Sequence, residues 1–154
     1  ARLCPPKEEG SADAAELDWL LRNSEILRGY FLHLMDEDVR CRGPLRRALD
    51  EGDPRKIEAA RQSAVAVCGE VINMSGQCLD LCVRLLPFCD ASAAPYVLSA
   101  ADLAHGAGRA AVPYILRQGD FSTDETYRYV LRRENELTLR QQQTAYDSIR
   151  AALA

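Results

Sequence analysis

The chain has 154 residues, room for one ordinary domain. Its 19 basic and 23 acidic side chains leave a formal net charge of −4, which argues against a nucleic-acid-binding surface. Hydrophobic residues make 47% and aromatics 6%, with Ala and Leu dominant, so the composition excludes a disordered chain and leans toward helix.

The opening residues, 1–10, hold Pro5-Pro6 and Lys7-Glu8-Glu9-Gly10 and show no periodicity. They read as a flexible tail before a helical domain over 11–154. The first helix is expected to start near Ser11 or Asp13, where Asp13 and Glu16 stand close to a capping box. Leu17, Leu20, Leu21, Leu27, Phe31, Leu34 and Met35 recur at three and four and form one apolar stripe. This helix should end near Asp38 or Arg40. Gly43-Pro44 interrupts it, and Pro44 suits the first position of a short helix that Gly52 closes.

Asp53-Pro54 is a strong restart, a carboxylate cap followed by a residue with no amide hydrogen to satisfy. The helix from there runs to Leu86, with Val67, Val71, Met74, Cys78, Leu81, Cys82 and Leu85 as its stripe. Gly69 and Gly76 weaken it by about 1 kcal/mol each and mark a close neighbour or a kink. Pro87 stops it. The next helix opens between Ser92 and Pro95 and reaches Leu116. Its centre is built of small residues such as Ala100, Ala104, Ala107, Gly108 and Ala111, which admit a second backbone closely. Pro113 should kink its last turn, and Gly119 closes it.

Ser122-Thr123-Asp124-Glu125 spells a capping box, so the last helix is expected from Thr123 to about Leu153. Glu134 and Gln141 fall at the seven-residue spacing of Tyr127 and read as a polar seam at a wet interface. No alternating run predicts a strand. The expectation is an all-α fold, an antiparallel bundle of four long helices plus one short helix.

The longest uncharged run, Ala91 to Ala101, is far shorter than the roughly 20 apolar residues of a membrane-crossing helix. No basic-then-apolar leader opens the chain. Six cysteines are too sparse for a disulfide scaffold in a chain able to build its own core, so they read as reduced thiols of a cytoplasmic protein.

Three constellations could carry chemistry. Cys68, Cys82 and Cys89 share a heptad position, with Cys78 one turn before Cys82; they read as core packing or as ligands for a soft metal. His33-x-x-Asp36 and Asp102-x-x-His105 each place two side chains on one helix face, as metal-ligand pairs or as ordinary helical neighbours. Asp36-Glu37-Asp38 ends a helix where the dipole disfavours negative charge, and Arg40, Arg42, Arg46 and Arg47 follow, able to neutralise it or to hold an anion. No metal site is expected. No nucleotide-binding loop, nucleophile elbow or zinc-protease motif is present.

"LHLMDEDVR" (Leu32 to Arg40), "AARQSAVAVCGEVINM" (Ala59 to Met74) and "YVLSAADLAHGAGRAAV" (Tyr96 to Val112), taken together, resemble the cyclodeaminase/cyclohydrolase family. That family includes the folate-dependent C-terminal domain of formiminotransferase-cyclodeaminase and the methenyltetrahydrofolate cyclohydrolases. The likeness covers about residues 15–153 in order and in helix lengths. It implies an all-helical homodimer and a tetrahydrofolate derivative as ligand, with no other cofactor. It also implies Asp38 as the catalytic acid/base and Arg40 or Arg42 as the holder of the folate glutamate tail. Members normally open with a helix bearing a Pro-Gly-Gly-Gly-Ser motif, absent from these 154 residues, so activity is expected to be degenerate. A non-catalytic interaction module and a thiol-based metal binder are the alternatives.

Overall fold

The computed structural model describes residues 12–153. Four α-helices carry the chain: α1 (Ala12–Glu51), α2 (Pro54–Leu85), α3 (Ala94–Gly119) and α4 (Glu125–Leu153). A single 3₁₀ turn, Leu86–Phe88, follows α2, and the described residues contain no strand. The expected tail at 1–10 lies outside the described residues.

The helices run up and down in turn. The start of α1 meets the end of α2, where Arg84 pairs with Glu16 at 2.7 Å. The start of α2 meets the end of α3, where the Ser122 hydroxyl donates to Glu58 at 2.9 Å. α1 packs along α2 and makes no comparable contact with α3 or α4 among the described residues. α4 leans mainly on α3 and more lightly on α2.

The long α2 starts as its sequence demands. The Asp53 carboxylate accepts from the amides of Arg55 and Lys56, and Pro54 occupies the first turn. The core falls into three apolar clusters. Leu27, Leu34 and Met74 join α1 to α2; Val65, Ile72 and Ile115 join α2 to α3. Leu79, Cys82, Val97, Ala101, Ala104 and Ile149 knit α2, α3 and α4. The small residues of α3 do allow close approach. An added Cβ on Gly108 would stand 2.4 Å from the Gln142 side-chain oxygen, and one on Gly119 2.7 Å from a Leu131 methyl.

Three local expectations change. The short helix after Pro44 does not exist as a separate element, because α1 continues through it to Glu51. Pro44 removes one amide donor, leaving the Arg40 carbonyl without its helical partner. Both residues are exposed, so water can take that carbonyl, while Ala48, buried beyond the proline, anchors the far end. The true stop is Gly52, at φ 70°.

The last helix begins at Glu125 rather than Thr123. Its cap is Asp124, whose carboxylate accepts from the Tyr127 amide at 3.0 Å. Ser122 is drawn away toward Glu58. The polar seam is also displaced by one residue: Glu134 and Gln141 are exposed, and Asn135 and Gln142 are buried in line with Ile149.

Candidate functional site

Asp38, Arg40 and Arg42 sit on the rear half of α1, near its contact with α2. The geometry pairs them with their own helix. Arg42 forms an ion pair with Asp38 one turn back, and Arg40 holds Glu37 at 2.6 Å. The Asp38 side chain is 42% exposed and the two guanidiniums more so. Beside them stand Cys41 of α1 itself, Cys68 of α2 and Tyr114 of α3. Burial pushes the Cys68 thiol and the Tyr114 phenol above their ordinary values. The Asp38 charge adds to both shifts and Arg42 opposes them, so this carboxylate is felt on α2 and α3.

A groove of about 500 Å³ runs on a different face, between α2 and α4, with Ile115 of α3 among its lining residues. Gln62, Asn73, Tyr127, Glu134, Asn135 and Thr138 give it polar walls. Gly69 also lines it, and a Cβ there would meet nothing within 4 Å. That glycine therefore marks neither a tight neighbour nor a crossing; it borders open space. Asp38, Arg40 and Arg42 do not line this groove. Burial raises the Tyr127 phenol, with Glu58 adding to the shift.

At mid-height, a polar layer crosses α2, α3 and α4. Gln142 lies between Gly76 and Gly108, and its Nε2 donates to the Ile72 carbonyl at 2.6 Å. Its Oε1 and the Ser75 hydroxyl are buried without hydrogen-bond partners. Hydropathy gives no hint of this layer; two glycines facing one glutamine across three helices was the available signal.

The histidine pairs resolve differently. His33 stands on exposed α1, 3.9 Å from Glu37. His105 is buried at 7% exposure and stacks on Tyr146, with ring centroids 4.2 Å apart. The Tyr146 hydroxyl donates to Asp102 at 2.6 Å, and Arg150 closes over both. Asp102 is therefore engaged by tyrosine and arginine.

Cys41, Cys68, Cys78 and Cys82 are free thiols; Cys4 lies outside the described residues. Cys82 is held well above the ordinary thiol range by its hydrogen bond to Cys78 and by burial. No group of three His, Cys, Asp or Glu side chains is arranged to hold a metal among the described residues. No helix among them is long and apolar enough to cross a membrane.

The architecture has a solved counterpart. A crystal structure of formiminotetrahydrofolate cyclodeaminase from Thermotoga maritima superposes with a TM-score of 0.87 at 22% identity. The match covers 96% of this chain and 74% of that one. The chain has the cyclodeaminase fold. The likeness read from the Ala-rich segments thus holds for the helical framework. No protein-family model matches the sequence, and no curated protein does.

Proposed function

We propose that this chain is a cyclodeaminase-like protein that binds a folate-type anionic ligand and has lost turnover. The observation that carries the reading is the placement of Asp38. A general acid/base must reach the proton it moves, in a site that excludes water. Asp38 is instead half-exposed, bound by Arg42, and does not line the groove between α2 and α4. Binding needs less than catalysis. Arg40 and Arg42 remain able to exchange their intrahelical acids for a ligand carboxylate, because exposed i,i+3 and i,i+4 pairs contribute at most about 1 kcal/mol.

The working unit of this reading is a cytoplasmic homodimer. α1 offers Leu21, Leu32, Met35 and Val39 to solvent, the last two at 67% and 69% exposure, on a helix that packs chiefly on α2 among the described residues. A two-fold partner is the simplest cover for such residues. The same uncovered face favours a second reading, a non-catalytic interaction module with no folate ligand. Titration with methenyltetrahydrofolate separates the two. Saturable binding supports the first, and no binding by an otherwise folded dimer supports the second. The thiol-metal alternative draws no support from the described cysteines.

A further inference from the structure

A second group of arginines lies away from Asp38, Arg40 and Arg42. At the far end of the bundle, Phe121 stands in the turn between α3 and α4 with 46% of its surface exposed. Two guanidiniums lie over its ring. Arg61 of α2 places its Cζ 4.6 Å from the ring centroid, and Arg117 of α3 places its Cζ 4.8 Å away. Neither arginine has a carboxylate partner among the described residues.

The acids nearby make contacts of their own and none forms an ion pair with Arg61 or Arg117 among the described residues. Glu58, one turn before Arg61, accepts from the Ser122 hydroxyl at 2.9 Å and from Gln62 at 3.1 Å. Asp120, beside Phe121, is taken by Arg132 at 2.6 Å. Asp124 caps the Tyr127 amide. Two cations thus share one aromatic ring without an ion pair among the described residues, while Glu58 and Asp124 keep their charge.

A guanidinium held over a ring by its charge keeps N–H donors available to a ligand. The shared ring also holds two otherwise flexible side chains in place before any ligand arrives, which lowers the ordering cost of binding. We infer that Arg61, Phe121 and Arg117 form a binding site for a diphosphate-bearing small molecule. Both guanidiniums share one ring, so a single ligand can span them. A carboxylate is planar and is satisfied by one fork, whereas a diphosphate offers a separate tetrahedral phosphoryl to each. This site is distinct from Asp38, Arg40 and Arg42 and does not depend on the folate reading.

Titration calorimetry of the full chain with inorganic pyrophosphate tests it, at low ionic strength with matched counter-ions. Saturable one-site binding is expected. Arg61→Gln and Arg117→Gln should each weaken it at least tenfold, and Phe121→Leu should weaken it with both charges intact. Arg140→Gln, an equal charge change on α4, should leave the affinity unchanged. Circular dichroism keeps misfolded variants out of the comparison. The inference is overturned by absence of saturable binding, by an equal loss in Arg140→Gln, or by citrate binding as tightly as pyrophosphate.

Discussion

Gln142 of α4 donates to the Ile72 carbonyl of α2 across the bundle, at 2.6 Å, with Gly108 of α3 directly beneath its amide oxygen. One side chain thereby fixes the spacing of three helices. Two glycines near the centre of α3, Gly106 and Gly108, should respond in opposite directions to alanine. A Cβ at Gly106 meets nothing within 4 Å, so Gly106→Ala should stabilise the exposed helix by about 1 kcal/mol. A Cβ at Gly108 would displace the buried Gln142 amide from Ile72, so Gly108→Ala should cost about 1–3 kcal/mol. Urea unfolding of both variants measures this; equal effects would show that Gln142 is free to move aside.

The acid limb of stability should depend on Asp90. Its carboxylate accepts from the Ser92 hydroxyl and from the amides of Ala93 and Ser92, and these bonds hold it below the ordinary value of 3.8. A carboxylate with a depressed folded pKa stabilises the fold above its unfolded pKa. That contribution is lost as pH falls through the lower folded value. Asp90→Asn should flatten the loss of thermal stability below pH 3.8. An unchanged acid limb would mean that the turn before α3 takes no part in it.

Cysteine reactivity should rank by burial and ionisation. Cys82 is buried and its thiol is pushed up by Cys78, so it should be the last of the five described thiols to react with iodoacetamide under native conditions. Peptide mass spectrometry over time gives the order. Under denaturation without reductant, all six cysteines should titrate as free thiols. Finding four or two would mean disulfides and a different compartment.

Asp38→Asn should leave stability within about 1 kcal/mol of wild type, because the Arg42 pair it breaks is exposed. A larger loss on thermal melting would mean that the carboxylate braces the three helices around Cys68 and Tyr114.

The framework was largely legible because helix signals are local. Asp53-Pro54 and the apolar stripes require no knowledge of partners, and α2 starts where those two residues place it. Pro44 misled because proline's effect depends on what surrounds it. On an exposed turn with a buried anchor beyond, one lost hydrogen bond does not end a helix. The seven-residue spacing counted from Tyr127 falls one residue off the inward face of α4, because Tyr127 is only half-buried and the fully buried Ile149 defines that face. Arg61, Arg117 and Phe121 come from α2, α3 and the following turn, and no spacing along the chain unites them. The same holds for Gln142 and its two glycines. Asp38 and Arg42 were visible as a pair, but their exposure was not.

Assembly is checked by light scattering at micromolar protein. The exposed Leu32, Met35 and Val39 of α1 lead to an expected mass of twice 17.1 kDa. A monomer at that concentration would remove the dimer from the proposal. Met35→Glu, which places a charge in that face, should shift the population toward monomer.

The most direct test of ligand binding without turnover is one sample of wild-type protein incubated with formiminotetrahydrofolate, followed for both binding and ammonia release. Saturable binding with no ammonia above the protein-free rate is the expected result. Ammonia release by wild type that falls severalfold in Asp38→Asn would contradict it, since the carboxylate would then be catalytic where it stands.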